Sequence, residues 1–429
     1  TGLNENGWGA SLLLSHWQGD GYNYGTQGQG QTYFFSLGYK PSEKHQFNFS
    51  VTGAPQWHYQ NYTKNLSDYD RDGDGEITNE EQRFNNNWGM YQGEVYSLRE
   101  NFYHKPVANL NWDWNINSRS SLSTVLYGST GAGGGTGGYG RGYYTYDDDG
   151  QLDFDQIRAN NEAIVNDGSR DWHIPGKTIG SYGDGAAVRR ASMNMHNWLG
   201  AVINFNHVLN EIFSFIVGAD FRTYYGEHFR LVDNLWGLDG YWDDNYNGAG
   251  FQELFPGGQV YTQPHTASPY LFWTQRNGMT DDKLDYYNTE RISYSGAFGQ
   301  LEYKNQRLSA FVQAAVSTQG YQRFDYHSYS DPDEQISEKL RFPGYNLKAG
   351  ANFNINENHN VFFNTGYYSK QPLFDAVFIN FGNNLNPDLR NEQIFGLEFG
   401  YGYRSSAFSA NVNFYRTSWA VRFLSRSGD

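Results

Sequence analysis

One pattern recurs along the chain: apolar residues alternate with polar or very small ones over runs of about ten positions. Residues 213–218, for example, read Phe, Ser, Phe, Ile, Val and Gly. Similar runs cover 109–116, 348–355 and 408–415. Because successive side chains of a strand point to opposite faces, this pattern predicts strands with one apolar face and one polar face.

The connections between these runs alternate strictly between short and long. Short turns are predicted at Pro41–His45, Asn115–Ser120, His207–Glu211, Lys304–Arg307, Asn354–His359 and Arg404–Ala407. Long polar segments cover 55–100, 131–193, 226–290, 320–342 and 369–392. Outer-membrane barrels have tight periplasmic turns and long extracellular loops, whereas a soluble sandwich has no reason to collect its long loops at one end. We therefore predict an all-β protein, a transmembrane antiparallel β-barrel with about thirteen strands of roughly ten residues in this chain.

The amino-acid composition supports the wall of a barrel rather than a compact protein with one apolar core. Of the 429 residues 18% are aromatic and 18% charged, which is too aromatic for disorder and too polar for one continuous apolar core. A wall with one face in lipid and one in water reconciles the two values. Aromatic residues near strand ends suit interfacial girdles, although Tyr and Phe also favour strands in general. These residues are Trp8, Trp17, Tyr33, Tyr39, Tyr224, Tyr303, Tyr367 and Trp419.

Charge and cysteine content exclude several function classes. The net charge of −15 without a basic stripe argues against nucleic acid as a partner. The absence of Cys excludes a disulfide framework, thiolate metal sites and thiol catalysis. A glycine-rich run, Gly131–Gly142, lacks the Lys-Ser/Thr of a phosphate cradle. We interpret that run as a flexible loop tip or as a site of close backbone packing.

A calcium-binding loop of the EF-hand type is predicted at residues 70–81, inside the 55–100 segment. Gly75 occupies the sharp turn at the sixth position of this loop, and Ile77 is the apolar anchor. Seven acidic residues and one basic residue lie between Asp68 and Glu81, and such a density of carboxylates calls for a compensating cation. The alternative is a solvated acidic loop of Asx-turns. The predicted ligands of a structural Ca2+ are Asp70, Asp72, Asp74, the carbonyl of Glu76, Thr78 through water, and Glu81.

Two other acidic segments resemble only half of such a loop. Asp243, Asn245, Asn247 and Gly248 are followed by Leu254 where the bidentate acid should stand. Asp147, Asp149 and Gly150 have Thr145 at the first position and Gln156 at the last. We predict no calcium at either segment.

No catalytic arrangement stands out, and we predict that the protein is not an enzyme. Neither a Gly-x-Ser-x-Gly elbow nor a His-Glu-x-x-His motif occurs. The histidines, including His16, His104, His196, His265 and His327, are interpreted as hydrogen-bonding residues of girdle, lumen or loops. Acid pairs such as Asp281/Asp282 and Asp331/Asp333 could imitate a glycosidase pair, but only their spatial separation would decide.

Several segments resemble the barrel of TonB-dependent receptors, in particular the branch whose plug domain follows a carboxypeptidase-like regulatory domain. The similar stretches include Asn6–Trp8, Gly53–Gln56, Asn101–Pro106, Tyr225–His228, Gly299–Tyr303, Asn356–Phe362 and Asn386–Leu389. The resemblance implies a barrel of about 22 strands, closed by an N-terminal plug domain, in the outer membrane of a Gram-negative bacterium. It also implies import of a scarce nutrient driven through the TonB complex.

The expected protein is thus a partial TonB-dependent receptor barrel over residues 1–429, with the plug domain and last strands absent. Its ligand could be a siderophore, a cofactor such as cobalamin, an oligosaccharide or a peptide. Expected partners are outer-membrane lipid, the TonB complex through the N-terminal region, and a surface lipoprotein over the long loops. A passive porin or structural surface barrel and a secreted β-rich glycan-active enzyme are the alternatives.

Overall fold

The alternating runs form strands of a single large antiparallel sheet. In the computed structural model, residues 2–62, 64–243, 258–270 and 283–423 are described. Strands account for 59% of the structure and helices for 6%, which confirms the all-β class. No helix within these ranges has the length and apolar character that a membrane crossing requires.

The described residues form twenty strands, and fifteen of them belong to this sheet. In the first half they are β1 Trp8–Gly19, β2 Gly28–Tyr39, β3 His45–Gly53, β4 Gln56–Tyr59, β5 Trp88–Tyr91, β6 Glu94–Ser97, β7 Glu100–His104, β8 Val107–Asn117, β9 Ser120–Gly140, β10 Ile179–Ser181 and β11 Ala187–Val208. In the second half they are β12 Phe213–Asn234, β13 Gly240–Asp243, β14 Gln259–Tyr261, β15 Leu284–Lys304, β16 Leu308–Asp325, β17 Leu340–Asn354, β18 His359–Lys370, β19 Glu392–Arg404 and β20 Ser409–Ala420. The α-helices are α1 Phe154–Glu162 and α2 Phe374–Val377, and single 3-10 turns occur at Leu66–Asp68, Glu81–Arg83 and Tyr182–Asp184.

Fifteen of these strands make thirteen rows, which we call the wall. β4 continues the line of β3, and β7 leads into β8, so four strands fill two rows. Pro55 and Pro106 stand in the two gaps, where a residue without an N–H interrupts the ladder. Among the described residues β1 pairs only with β2 and β20 only with β19, so these two are the edges of the sheet. The prediction of about thirteen antiparallel strands is confirmed.

The two faces of the wall differ as the alternation predicts. On the apolar face Ala201 lies between Leu126 and Phe221, and the last two are 47% and 49% exposed. On the polar face Gln300 pairs with Gln313 in the neighbouring strand. A continuous exposed apolar face of this size suits lipid rather than water.

All six predicted short turns lie at one end of the wall, the short-turn end, and all the long connections at the other, the long-loop end. Aromatic and histidine rings pack together on the apolar face near the short-turn end, as in a girdle: the ring centroids of Trp8 and Tyr39 lie 4.0 Å apart and those of His359 and Tyr403 4.9 Å apart. Tyr224 differs from the girdle prediction, because it is buried on the polar face against Trp198.

The central strands are longer than predicted. β9, β11, β12 and β15 have 21 or 22 residues instead of roughly ten, and they extend past the thickness of a bilayer. Residues 131–140, 187–193, 226–234 and 284–290 therefore belong to strands, and the connections are correspondingly shorter. The apolar face of these extensions is buried, since Met193, Met195, Phe229 and Leu231 form one hydrophobic cluster with Phe102.

The glycine-rich run explains one of these extensions. Gly131–Gly140 forms the upper half of β9, between β7 and β11. A Cβ added at Gly133 would lie 2.6 Å from the Cβ of Tyr103, and one at Gly134 would lie 2.6 Å from the carbonyl oxygen of Ser192. Close backbone packing is therefore the correct interpretation of this run, and the flexible loop tip is not.

A second layer of structure, which we call the loop layer, lies beyond the wall at the long-loop end. It comprises the hairpin of β5 and β6, α1 and the small sheet of β10, β13 and β14, with their connections. Trp236 and Phe154 are fully buried here, and the side chain of Asn161 in α1 bonds both backbone groups of Ala187 in β11. The loop layer thus has its own apolar core.

Candidate functional site

The predicted calcium loop brings three of its ligands together. Oxygen atoms of Asp70, Asp72 and Asp74 lie within 4.8 Å of one another. Gly73 and Gly75 both have positive φ angles, which glycine adopts without strain and which allow the chain to turn around these carboxylates. Backbone amides hold the carboxylates: Gly75 N–H donates to Asp70 Oδ2 at 3.1 Å and Glu76 N–H donates to Asp74 Oδ1 at 2.7 Å.

Glu81, the predicted bidentate ligand, lies outside this group of carboxylates. One of its oxygens accepts from Arg71 N–H at 2.8 Å, and the other accepts from the N–H and the hydroxyl of Thr78 at 2.9 and 2.8 Å. These hydrogen bonds, those from Thr78 foremost, lower the pKa of Glu81 below its ordinary value. The carboxylate is thus held ionised, and it closes the loop between Arg71 and Thr78.

The residues present fit a calcium ion in part. Asp70 Oδ1 is buried and has no hydrogen-bond partner in the described part of the chain, so one ligand oxygen of the first position is available. Ile77 is half-buried, as its anchoring role requires. Three carboxylates and a turn of the right shape are in place, whereas Glu81 would have to move inward to complete the set.

The calcium loop is tied to two other parts of the long-loop end. Arg71 donates from Nη2 to the carbonyl of Asp149 at 2.9 Å, and Arg83 donates from Nε to the carbonyl of Tyr22 at 2.9 Å. Asp149 belongs to the second acidic segment of the sequence, where Asp147 caps a turn by accepting from Asp149 N–H at 3.0 Å. That segment forms an Asx-turn. Of the other look-alike, only Asp243 lies within the described residues; Asn245, Asn247, Gly248 and Leu254 lie outside them.

A polar cluster that the sequence reasoning missed lies on the polar face of β11, β12 and β15. The Nδ1 of His196 lies 2.7 Å from Tyr224 Oη, and the Nδ1 of His228 lies 2.6 Å from Asn194 Oδ1. Nε2 of His228 is 3.6 Å from Glu290 Oε1. Alternation alone places each residue on this face, but the cross-strand register that brings them together is not visible in the sequence.

A buried ionic network joins the loop layer to the long-loop end of the wall. The guanidinium of Arg189 contacts Asp233 directly and lies 3.6 Å from Glu100, and its Nη1 donates to the carbonyl of Ser97 at 2.8 Å. The ring of Tyr96 covers the guanidinium at 4.3 Å. Burial, opposed by Arg189 and aided by Asp233, raises the pKa of Glu100 to about 7. Three segments far apart in sequence are therefore joined by charges that water hardly reaches.

The wall, its single long-loop end and the folded loop layer can be compared with solved structures. The chain aligns with the ferric citrate transporter FecA at a TM-score of 0.58 and 12% identity, covering 97% of this chain and 47% of that one. It aligns with the copper transporter OprC at 0.56 and 10%, covering 95% and 48%. With the ferripyoverdine receptor of the outer membrane of Pseudomonas aeruginosa the values are 0.58 and 9%, covering 98% and 46%.

This chain has the fold of TonB-dependent outer-membrane receptors. It spans about half the length of the solved structures that it matches. Neither a family model nor a curated protein matches the sequence. Identities of 8% to 12% in the structural alignments relate the folds and carry no ligand residue from one protein to another.

Within the receptor fold, the predicted histidine roles agree with the contacts. His16 Nδ1 lies 3.0 Å from Gln31 Nε2, and His104 Nε2 lies 3.0 Å from Tyr33 Oη, so both act as hydrogen-bonding residues. Of the acid pairs, Asp331 caps a turn by accepting from Asp333 N–H at 2.9 Å. Asp281 and Asp282 lie outside the described residues. The solved structures of this fold are transporters and receptors, not enzymes.

Proposed function

We propose that the protein is an outer-membrane receptor and energy-coupled importer of a scarce extracellular nutrient. The observation that carries this proposal is the two-faced wall whose long connections lie at one end, where their described residues fold into a layer with its own apolar core. A passive pore needs no such layer, whereas a receptor needs a rigid surface that selects its ligand before transport. The long-loop end is the extracellular side in this proposal.

Energy coupling would come through the TonB complex, acting on a plug domain that fills the barrel of the whole protein. Outer-membrane lipid would contact the apolar face, and a surface lipoprotein could cover the loop layer. Ligand class stays at the four possibilities given by the sequence: siderophore, cofactor, oligosaccharide or peptide. These parts of the proposal rest on the fold together with the resemblance of the sequence segments.

Conductance tests the proposal without knowledge of the ligand. The full-length protein, purified and inserted into planar bilayers, is expected to be closed, because a plugged barrel offers no continuous water path. A steady, large conductance would contradict the importer and favour a porin. In cells, deletion of the gene and deletion of TonB should give the same growth defect on the nutrient concerned. If deletion of the gene impairs growth on the nutrient while deletion of TonB does not, uptake does not depend on TonB, and the proposal is contradicted.

We also propose that residues 70–81 bind a structural Ca2+. Asp70, Asp72, Asp74, the carbonyl of Glu76, Thr78 through water, and Glu81 would hold it. Support comes from the convergence of the three aspartates, the unpartnered Oδ1 of Asp70 and the two glycine turns. The ion would offset the repulsion among the carboxylates and stiffen the segment that Arg71 and Arg83 tie to neighbouring loops.

Calorimetric titration with calcium tests the site directly. Wild-type protein should bind one ion in this segment, and Asp72→Asn should weaken binding at least about tenfold, because it removes a charged ligand. Asp147→Asn, in the Asx-turn, is the matched control and should bind as the wild type does. Equal affinities of wild type and Asp72→Asn would exclude the site.

A further inference from the structure

Three arginine side chains converge on the polar face beside the glycine-rich half of β9. A Cβ placed on Gly137 would lie 2.6 Å from Nη1 of Arg99 and 2.9 Å from Nη2 of Arg190. Two guanidinium groups therefore occupy the space that a side chain at position 137 would need. Arg230 joins them through Ser192, whose hydroxyl oxygen accepts from Arg190 Nη1 at 3.1 Å and from Arg230 Nε at 3.3 Å.

The positive charge of this group is only partly compensated. Arg230 forms an ion pair with Asp285. Arg99 and Arg190 form no ion pair with any residue in the described ranges, and their partners are neutral: Tyr144 Oη at 3.5 Å for Arg99 and the Gly135 carbonyl at 3.1 Å for Arg190. In a chain with 46 acidic and 31 basic residues, three arginines sharing one close acid are unexpected.

Two donors of the group also lack acceptors. The Nε atoms of Arg99 and Arg190 are buried without a hydrogen-bond partner in the part of the chain that the structure describes. Buried polar groups are rarely left unpaired, and a functional site is one of the recognised reasons. Burial, together with the charges of Arg230 and Arg99, lowers the pKa of Arg190 to about 10. An anion would relieve the repulsion and accept from the free donors.

Exposed tyrosines border the arginines. Tyr144 and Tyr146 are 52% and 42% exposed, and their rings stack with a centroid distance of 6.2 Å and an angle of 11°. The guanidinium of Arg99 lies 5.5 Å from the ring centroid of Tyr62, which is 51% exposed. Guanidinium forks match the planar oxygens of carboxylates and phosphates, and flat exposed rings accept a flat or ring-bearing ligand.

We propose that Arg99, Arg190 and Arg230 form a binding site for the anionic group of the ligand, a polycarboxylate or a phosphate. The inference deepens the proposed function, because it names the charge of the imported compound. The tyrosines would contact the uncharged body of the same ligand. The site lies beside the wall's longest strands, on the face opposite the lipid.

Anion binding by the full-length protein in zwitterionic detergent tests the proposal. The probes are inorganic phosphate and tricarballylate, a tricarboxylate that chelates calcium weakly, titrated at constant ionic strength with chloride as background. Wild-type protein should bind at least one of them. The double variant Arg99→Gln/Arg190→Gln should lose affinity about a hundredfold, roughly tenfold for each charge-assisted contact.

Matched variants separate the site from net charge. Arg119→Gln removes one positive charge, half of what the double variant removes, in an exposed short turn at the other end of the wall and should stay within twofold of wild type. Asp285→Asn removes the competing acid and should strengthen binding several-fold. Arg190→Lys keeps the charge but loses the fork, and it should bind more weakly than wild type while folding normally. Absence of binding, or an equal loss in Arg119→Gln and in the double variant, would overturn the inference.

The source of the anion and the parent proposal can be tested separately. The same titrations in nanodiscs of phosphatidylcholine, with and without phosphatidylglycerol, should give equal anion affinities. A lower affinity with phosphatidylglycerol would mean that the site binds the anionic lipid headgroup, which would overturn the proposal of a soluble ligand. If the anion binds but the protein conducts steadily, the importer proposal fails and the anion site stands. If the protein is closed and TonB-dependent but binds no anion, only the anion site fails.

Discussion

The wall and the loop layer of this protein are stabilised in different ways. The wall repeats one arrangement, an antiparallel ladder between an apolar and a polar face. Because many equivalent cross-strand contacts share the stabilisation, no single contact is essential. The loop layer depends on contacts that occur once, such as the Arg189 network and the two hydrogen bonds of Asn161 to Ala187. The comparison suggests that the wall tolerates local change in polar positions, whereas the loop layer is sensitive to loss of a single buried partner.

The largest effect should follow from Arg189→Met. The change leaves the carboxylates of Asp233 and Glu100 buried without their cation, which should destabilise the loop layer by about 3–5 kcal/mol. Hydrogen exchange of loop-layer amides measures this, and amides in the half of the wall nearer the short-turn end should be unaffected. Arg170→Met, which breaks a partly exposed pair with Asp184, is the control and should cost less than about 1 kcal/mol. Equal exchange rates in the two variants would contradict the claim that the loop layer depends on the buried Arg189 network.

The reverse experiment places a charge on the apolar face. Leu126→Arg should destabilise the wall by about 2–4 kcal/mol, because the guanidinium would enter lipid. Ser123→Arg, on the polar face of the same strand, should cost less than about 1 kcal/mol. Each variant is refolded into vesicles, and its folded fraction is measured by the gel-electrophoretic mobility of heated and unheated samples. A similar loss for both would mean that the faces are assigned wrongly.

The wall could be predicted from the sequence because its information is local. Alternation identified the thirteen rows, and Gly, Pro and Asn placed the short turns. The upper half of β9 was hidden because glycines show no alternation, so residues 131–140 were assigned to a loop. Arg189 and its acceptors Asp233 and Ser97 are 44 and 92 positions apart, and no sequence period connects them. In the calcium loop the spacing predicted the convergence of the three aspartates, but not the hydrogen bonds that hold Glu81 away from them.

Acidification should stabilise the region around Glu100, where the loop layer meets the wall, and should leave the half of the wall nearer the short-turn end unchanged. The pKa of Glu100 is about 7 in the folded protein and about 4.5 in an unfolded chain, so the folded state binds the extra proton. Its contribution to stability is therefore complete below about pH 4.5 and is lost as the pH rises through 7, on the order of 3 kcal/mol in total. Glu100→Gln should abolish this dependence in loop-layer hydrogen exchange. A wild-type layer equally stable at pH 5 and pH 8 would contradict the assignment.

The smallest predicted effect concerns calcium. For a site with a dissociation constant near 10⁻⁴ M, calcium at about ten times that value would stabilise the 55–100 segment by about 1.4 kcal/mol. Limited proteolysis within this segment should therefore proceed roughly ten times faster in chelator than in calcium. Asp74→Asn should remove the difference. Proteolysis within 141–186 serves as an internal control for general loosening of the loop layer.

The glycines of β9 also limit how this protein could adapt to a new ligand. Any side chain at Gly133 or Gly134 would collide with the backbone of a neighbouring strand, so these positions cannot acquire a recognition residue without moving a strand. Over that stretch, selectivity can change only through residues that reach across from β7 and β11. Changes in ligand specificity should therefore arise in the strands next to the glycines of β9, because these glycines have no side chains that could contact a ligand.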